Sequence, residues 1–184
     1  MKKTLIILFL TVLVSSLAIA QTDKNSKQSD KELQAVDTTQ INWVKYDEGL
    51  QMAKETGKKI FINFTTAWCG YCKKMIRDVF SKPDAIKLLN GSYIPIKVDG
   101  DSKDELNIDG YKITERNLTK SEYRVSGYPT YWILKPNAER ITTFSGYRPK
   151  ETFINMISFI KDDAYEKMSF DEYLKNGGSG GDKN

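Results

Sequence analysis

The chain has 184 residues, 40% of them hydrophobic and 28% charged, a size and balance that suit one well-cored globular domain with tails. Its net charge of +4 is mild and gathers into no long basic run, which leaves no footprint for nucleic acid. It has no histidine and only two cysteines, which excludes Ser-His and Cys-His catalysis and most transition-metal sites.

Met1-Lys2-Lys3 is positive, Leu5 to Leu17 is an apolar run broken by Thr11 and Ser15-Ser16, and Ala18-Ile19-Ala20 supplies small residues for cleavage. The pattern predicts a signal peptide over residues 1–20 and a periplasmic or otherwise exported destination, where disulfides persist. The alternative is an uncut anchor, the one case in which the chain would touch the membrane. The run is short of the about 20 apolar residues that a spanning helix needs. Residues 21–40 are polar without apolar period and read as a disordered linker. The domain is expected over 41–175, and the Gly-rich run from Gly177 predicts a flexible tail over 176–184.

Within the domain, Tyr46, Leu50 and Ala53 have helical spacing and Gly57 suits the C-terminal cap. Lys59 to Thr65 is apolar and β-prone, and a helix follows from about Cys69 to Phe80. Pro83 opens a further helix, closed by Asn90-Gly91. Tyr93 to Val98 reads as a strand in which Pro95 argues for a sheet edge or a strand start. Gly100 to Gly110 is acidic and reads as a surface loop or insertion, after which Thr114 caps a helix to about Tyr123. Thr130–Leu134 and Ile141–Phe144 form a hairpin about Pro136-Asn137-Ala138-Glu139, and Gly146 ends it. Pro149 opens the last main helix, with Phe153, Ile154, Ile157 and Ile160 on one face, and Ser169 caps a short final one. A strand–helix–strand unit followed by a hairpin predicts a mixed α/β sheet of about four to five strands, flanked by helices on both faces.

The two cysteines stand as Cys69-Gly70-Tyr71-Cys72, where a buried strand hands over to a helix. A cysteine in a first helical turn faces unpaired N–H groups and the positive end of the helix dipole. Both lower its pKa below the ~8.5 of a free thiol. A thiolate with a second thiol two residues on can attack a disulfide and then be resolved by its neighbour. A purely structural disulfide would close too small a loop to restrain much chain. A zinc site would need about four ligands, and the chain offers two thiolates and no imidazole. No metal and no cofactor is expected.

Ala67-Trp68-Cys69-Gly70-Tyr71-Cys72-Lys73, Val125-Ser126-Gly127-Tyr128-Pro129-Thr130 and Gly146 resemble, in that order, the signature motifs of thioredoxin-fold proteins. Trp43, Ala53-Lys54, Lys58-Lys59-Ile60-Phe61 and Val79-Phe80 resemble the branch that holds exported thioredoxin-like proteins and the C-terminal domain of the membrane reductase DsbD. The resemblance implies a thioredoxin fold, with Cys69 the exposed nucleophile and Cys72 the buried resolving thiol. It further implies that Trp68, Tyr71, Tyr128, Pro129 and Thr130 form the substrate-binding surface, with Pro129 cis. The expected activity is reduction of protein disulfides with electrons from a membrane donor. Isomerase or oxidase activity is an alternative, because Gly70-Tyr71 resembles the pair of the periplasmic isomerase DsbC. A redox-inactive peptide-binding module is another. One departure stands out: Asn63 occupies the strand position where thioredoxins carry a buried acid, and Lys97 the position of that acid's partner. An amide cannot take the Cys72 proton, so both residues are expected to modulate the site.

Overall fold

The computed structural model describes residues 39–180. The expected signal segment, nearly all of the expected linker, and residues 181–184 lie outside the described residues.

Lys59–Thr65 forms strand β1, and every residue after Lys59 is buried, as a strand covered on both faces requires. It pairs in parallel with β2 (Tyr93–Asp99) and antiparallel with β5 (Thr130–Leu134), and β5 pairs antiparallel with β6 (Arg140–Ser145). The strand order is β2-β1-β5-β6, the mixed sheet expected from the sequence. The register sets Asn63 between Lys97 on one side and Tyr131 on the other.

Helix α1 (Tyr46–Thr56) ends on Gly57 at φ 70°, a left-handed cap that glycine adopts without strain. The crossover from β1 to β2 runs through α2 (Gly70–Met75), a π-helical turn at Ile76–Phe80, and α3 (Pro83–Ser92). With α5 (Lys150–Lys161) these cover one sheet face, over a core of Phe61, Met75, Val79, Leu89, Phe153 and Ile157. Phe61 is its centre, stacked on Tyr131 at 5.6 Å and edge-on to Phe153 at 5.8 Å. Full burial of one such ring stabilises the fold by about 1.5–3 kcal/mol. The opposite face packs Ile60, Ile62, Phe64, Ile96 and Leu118 under α1 and α4 (Glu115–Asn117), the latter continuing as a π-helical turn to Glu122.

Pro95 lies on an edge strand, as expected. The Val44 N–H donates to the Pro95 carbonyl (3.0 Å) and the Lys97 N–H to the Val44 carbonyl (3.2 Å), so this side of β2 faces away from β1. The missing proline N–H therefore costs the β1–β2 ladder nothing.

Two stretches differ from the sequence expectation. The acidic loop after Gly100 contains a hairpin, β3 (Glu105–Ile108) and β4 (Tyr111–Thr114), turning at Asp109 (φ 51°) and Gly110 (φ 92°). Asp-Gly suits a two-residue turn with both φ positive, and Leu106 and Ile113 bury the inner face. The second is the Gly-rich tail. After α6 (Phe170–Lys175), capped by Ser169 with Glu172, residues 176–180 turn back onto α5. There the Ser179 N–H and hydroxyl both donate to Asn155 Oδ1, at 3.0 and 2.8 Å.

Candidate active site

The C-terminal end of β1 delivers Thr65-Thr66 to the turn that carries Trp68 and Cys69. The Cys69 N–H donates to the Thr66 carbonyl (3.2 Å), and Cys69 then caps α2 with extended backbone. Its Sγ accepts the Cys72 N–H at 3.0 Å and is disulfide-bonded to Cys72, with the two Cα atoms 5.2 Å apart. The same N–H and the helix dipole favour a thiolate at Cys69 once the bond is reduced.

The contrast expected between an exposed Cys69 and a buried Cys72 is absent from this oxidised form, where they are 4% and 5% exposed. Capping is the reason: Cys69 Sγ turns inward onto the helix end, and it is Trp68 and Tyr71 that stand out, at 68% and 62%. The Trp68 indole donates through Nε1 to Asp101 Oδ2 (2.6 Å) and meets Tyr128 edge-on at 5.8 Å. Tyr128 lies directly over Gly100, where a Cβ would overlap the phenol, so a larger residue there would push Tyr128 aside. Burial and the nearby carboxylates of Asp101 and Asp99 raise the Tyr128 pKa above that of an ordinary phenol.

The Tyr128–Pro129 peptide is cis. Pro129 accepts the Gly146 N–H at its carbonyl (2.8 Å), and the Thr130 hydroxyl donates to the Gly127 carbonyl (2.7 Å). Because Phe64 pairs with Thr130, the strand end leading to the cysteines and the strand start following Pro129 lie side by side. The fold thus joins Trp68 to Tyr128 in one rim and leaves Tyr71 projecting from α2.

Behind Cys72 is a cavity of about 260 Å³, lined among others by Asn63, Thr66, Cys72, Lys97, Asp99 and Tyr131. Asn63 Oδ1, Thr66 Oγ1 and the Tyr131 hydroxyl are buried and have no hydrogen-bond partner among the described residues. Lys97, expected as a buried partner, is exposed: its strand is the sheet edge, and its long side chain reaches water. Glu115 is buried, accepts the Asp99 N–H at Oε2 (3.3 Å), and is held above the usual carboxylate range by burial. Sequence reasoning missed Thr66, Asp99, Asp101, Glu115 and Tyr131. A larger apolar cavity, about 350 Å³, lies between β6 and α5 and contains none of these residues.

The thioredoxin-like domain family matches residues 46–161. Protein disulfide-isomerase 1 of Dictyostelium discoideum is 28% identical over 107 residues, 58% of this chain and 25% of that protein. The chain thus spans about a quarter of the length of that relative. Among solved structures, a thioredoxin from Thermus thermophilus aligns with TM-score 0.54 and 27% identity over 66% of this chain and 87% of that one. A thioredoxin-fold protein from Helicobacter pylori aligns with TM-score 0.56 and 20% identity, over 66% of this chain and 80% of that one. With its Cys-x-x-Cys disulfide capping the helix that follows β1, the chain belongs to the thioredoxin-like family.

Proposed function

We propose that the chain is an exported thiol:disulfide oxidoreductase that reduces disulfides in protein substrates and is itself re-reduced by a dithiol donor at the membrane. The observation that carries the chemistry is the Cys69–Cys72 pair, with Cys69 Sγ on the Cys72 N–H beside the projecting Trp68 and Tyr71. The Cys69 thiolate attacks one sulfur of the substrate disulfide, and the other leaves as a thiolate that takes a proton from water. Cys72, losing its proton, attacks Cys69 Sγ and expels the second substrate sulfur. Two electrons pass to the substrate, and the chain is left as the disulfide seen here. Export is supported by the composition of residues 1–20, and among the described residues no helix is long and apolar enough to cross a membrane.

The reducing direction is supported by the resemblance of Trp43, Ala53-Lys54, Lys58-Lys59-Ile60-Phe61 and Val79-Phe80 to the branch that holds exported thioredoxin-like proteins and the C-terminal domain of the membrane reductase DsbD. A second reading, isomerisation, is favoured by the name of the Dictyostelium relative. Equilibration against a glutathione series separates them. A reductase should lie nearer the about −270 mV of thioredoxin than the about −180 mV of protein disulfide isomerase. In parallel, Cys72→Ser should trap mixed disulfides through Cys69, seen on a non-reducing gel. If no Cys69-dependent adduct forms, the peptide-binding module gains and the oxidoreductase reading falls.

A further inference from the structure

Thiol exchange at this site requires Cys72 to lose a proton while it is nearly sealed from solvent. Asn63, which lines the cavity behind it, is an amide with no titratable group. The cavity behind Cys72 is lined by three residues with buried polar atoms that have no hydrogen-bond partner among the described residues: Asn63 Oδ1, Thr66 Oγ1 and the Tyr131 hydroxyl. Buried polar atoms of this kind are satisfied by ordered water, and this cavity carries polar groups and is roomy enough for it. Of its lining residues, Lys73, Lys97 and Asp99 are charged. An ammonium only donates. Burial holds the Tyr131 hydroxyl well above an ordinary phenol, so it passes a proton along without keeping one. Asp99 is the lining carboxylate.

We propose that Asp99 accepts the Cys72 proton in the resolving step, through water held by Asn63, Thr66 and Tyr131. The inference rests on the thiol–disulfide exchange reading above. Before the step, Cys69 is joined to a substrate sulfur, Cys72 is a thiol and Asp99 a carboxylate. As the Cys72 sulfur bonds to Cys69 Sγ, the bond from Cys69 to the substrate sulfur breaks and that sulfur leaves as a thiolate. The proton moves by way of water to Asp99, which returns it to solvent. Asp99 is held in place through backbone and side chain: its N–H donates to Glu115 Oε2 (3.3 Å), and its Oδ1 accepts the Asp101 N–H (3.0 Å). Asp101, Glu115 and the Tyr128 phenol lie near it, and Lys73 and Lys97 share its cavity.

The test uses the reduced protein and a symmetrical aryl disulfide that releases a coloured thiolate, followed by stopped flow. The first equivalent released reports attack by Cys69, and the second reports resolution by Cys72. Asp99→Asn keeps the Oδ1 acceptor, so the loop is preserved. It should leave the first phase within about twofold and slow the second at least about tenfold near pH 7, with recovery as hydroxide rises. Asp99→Glu, which keeps the carboxylate, should restore most of the second phase. A second phase in Asp99→Asn equal to wild type from pH 6 to 9 would overturn the assignment. Equal slowing of both phases, or no rescue by glutamate, would also overturn it, since either marks general damage. A wild-type first phase no faster than a free thiol would instead sink the exchange reading itself.

Discussion

Replacing Asn63 by aspartate puts a carboxyl group of the same shape at the one strand position that faces Cys72, Lys97 and Tyr131 together. The residue is 5% exposed, so an ionised carboxylate there loses nearly all its water. Complete burial raises an acid by up to about 3–5 pKa units. A site opening onto a cavity of polar groups should see about 2 units, from about 3.9 to about 6. At about 1.36 kcal/mol per unit, the folded state loses about 2.7 kcal/mol at neutral pH. Lys97 offsets little of this, because water screens its exposed ammonium. The sign follows from the raised folded pKa of an acid. The penalty is absent below about pH 3.9, grows between the two pKa values, and is complete above about pH 6. Urea melts of Asn63→Asp and wild type should therefore agree near pH 4 and part near pH 7.5, with a midpoint lower by about 1–2 M. The new carboxylate also lines the cavity behind the resolving thiol, so the second phase of the stopped-flow assay should quicken. The same substitution should restore that phase in Asp99→Asn. An equal midpoint loss at both pH values, or an unchanged second phase at every pH, would refute the argument.

Brief iodoacetamide treatment of the reduced protein should label Cys69 ahead of Cys72, because only Cys69 caps the helix; peptide mapping with most label on Cys72 would reverse their roles. Gly100→Ala should cost about 1–3 kcal/mol in urea melts and change Trp68 fluorescence, since the new methyl displaces Tyr128 from beneath the indole; an unperturbed Trp68 spectrum would show that Tyr128 does not support it. Glu115→Gln should raise the urea midpoint near pH 7 and not near pH 4. The folded-state pKa of Glu115 is raised, so its ionisation favours the unfolded chain as pH climbs past the carboxylate range; an equal change at both pH values would contradict this.

What could be read from the sequence was what lies close along the chain. The Cys69–Cys72 spacing, the strand before it, Thr114 and Ser169 as caps, and the hairpin about Pro136 are all local signals. The Asp109-Gly110 hairpin was equally local, with alternating Leu106, Ile108 and Tyr111, Ile113 around a strong turn pair; an acidic composition concealed it. The π-helical turns after Met75 and Asn117 have no residue signature in this chain. Asp99 and Tyr131 meet Cys72 only because strand register brings them there across long sequence separations. The exposure of Lys97 likewise depends on β2 being an edge, which its own residues hint at only through Pro95.

The closed outer side of β2 also limits how copies of this protein could join their sheets. End-to-end growth into a filament would require the β2 edge of one copy to pair with the β6 edge of the next. At β2 that row is spent, because Pro95 has no N–H and Val44 already takes the Pro95 carbonyl and the Lys97 N–H. Among the described residues, only β6 is left to accept a foreign strand within this sheet. Two copies meeting β6 to β6 would form a twofold pair that uses up both open edges, and such a pair has nowhere further to grow.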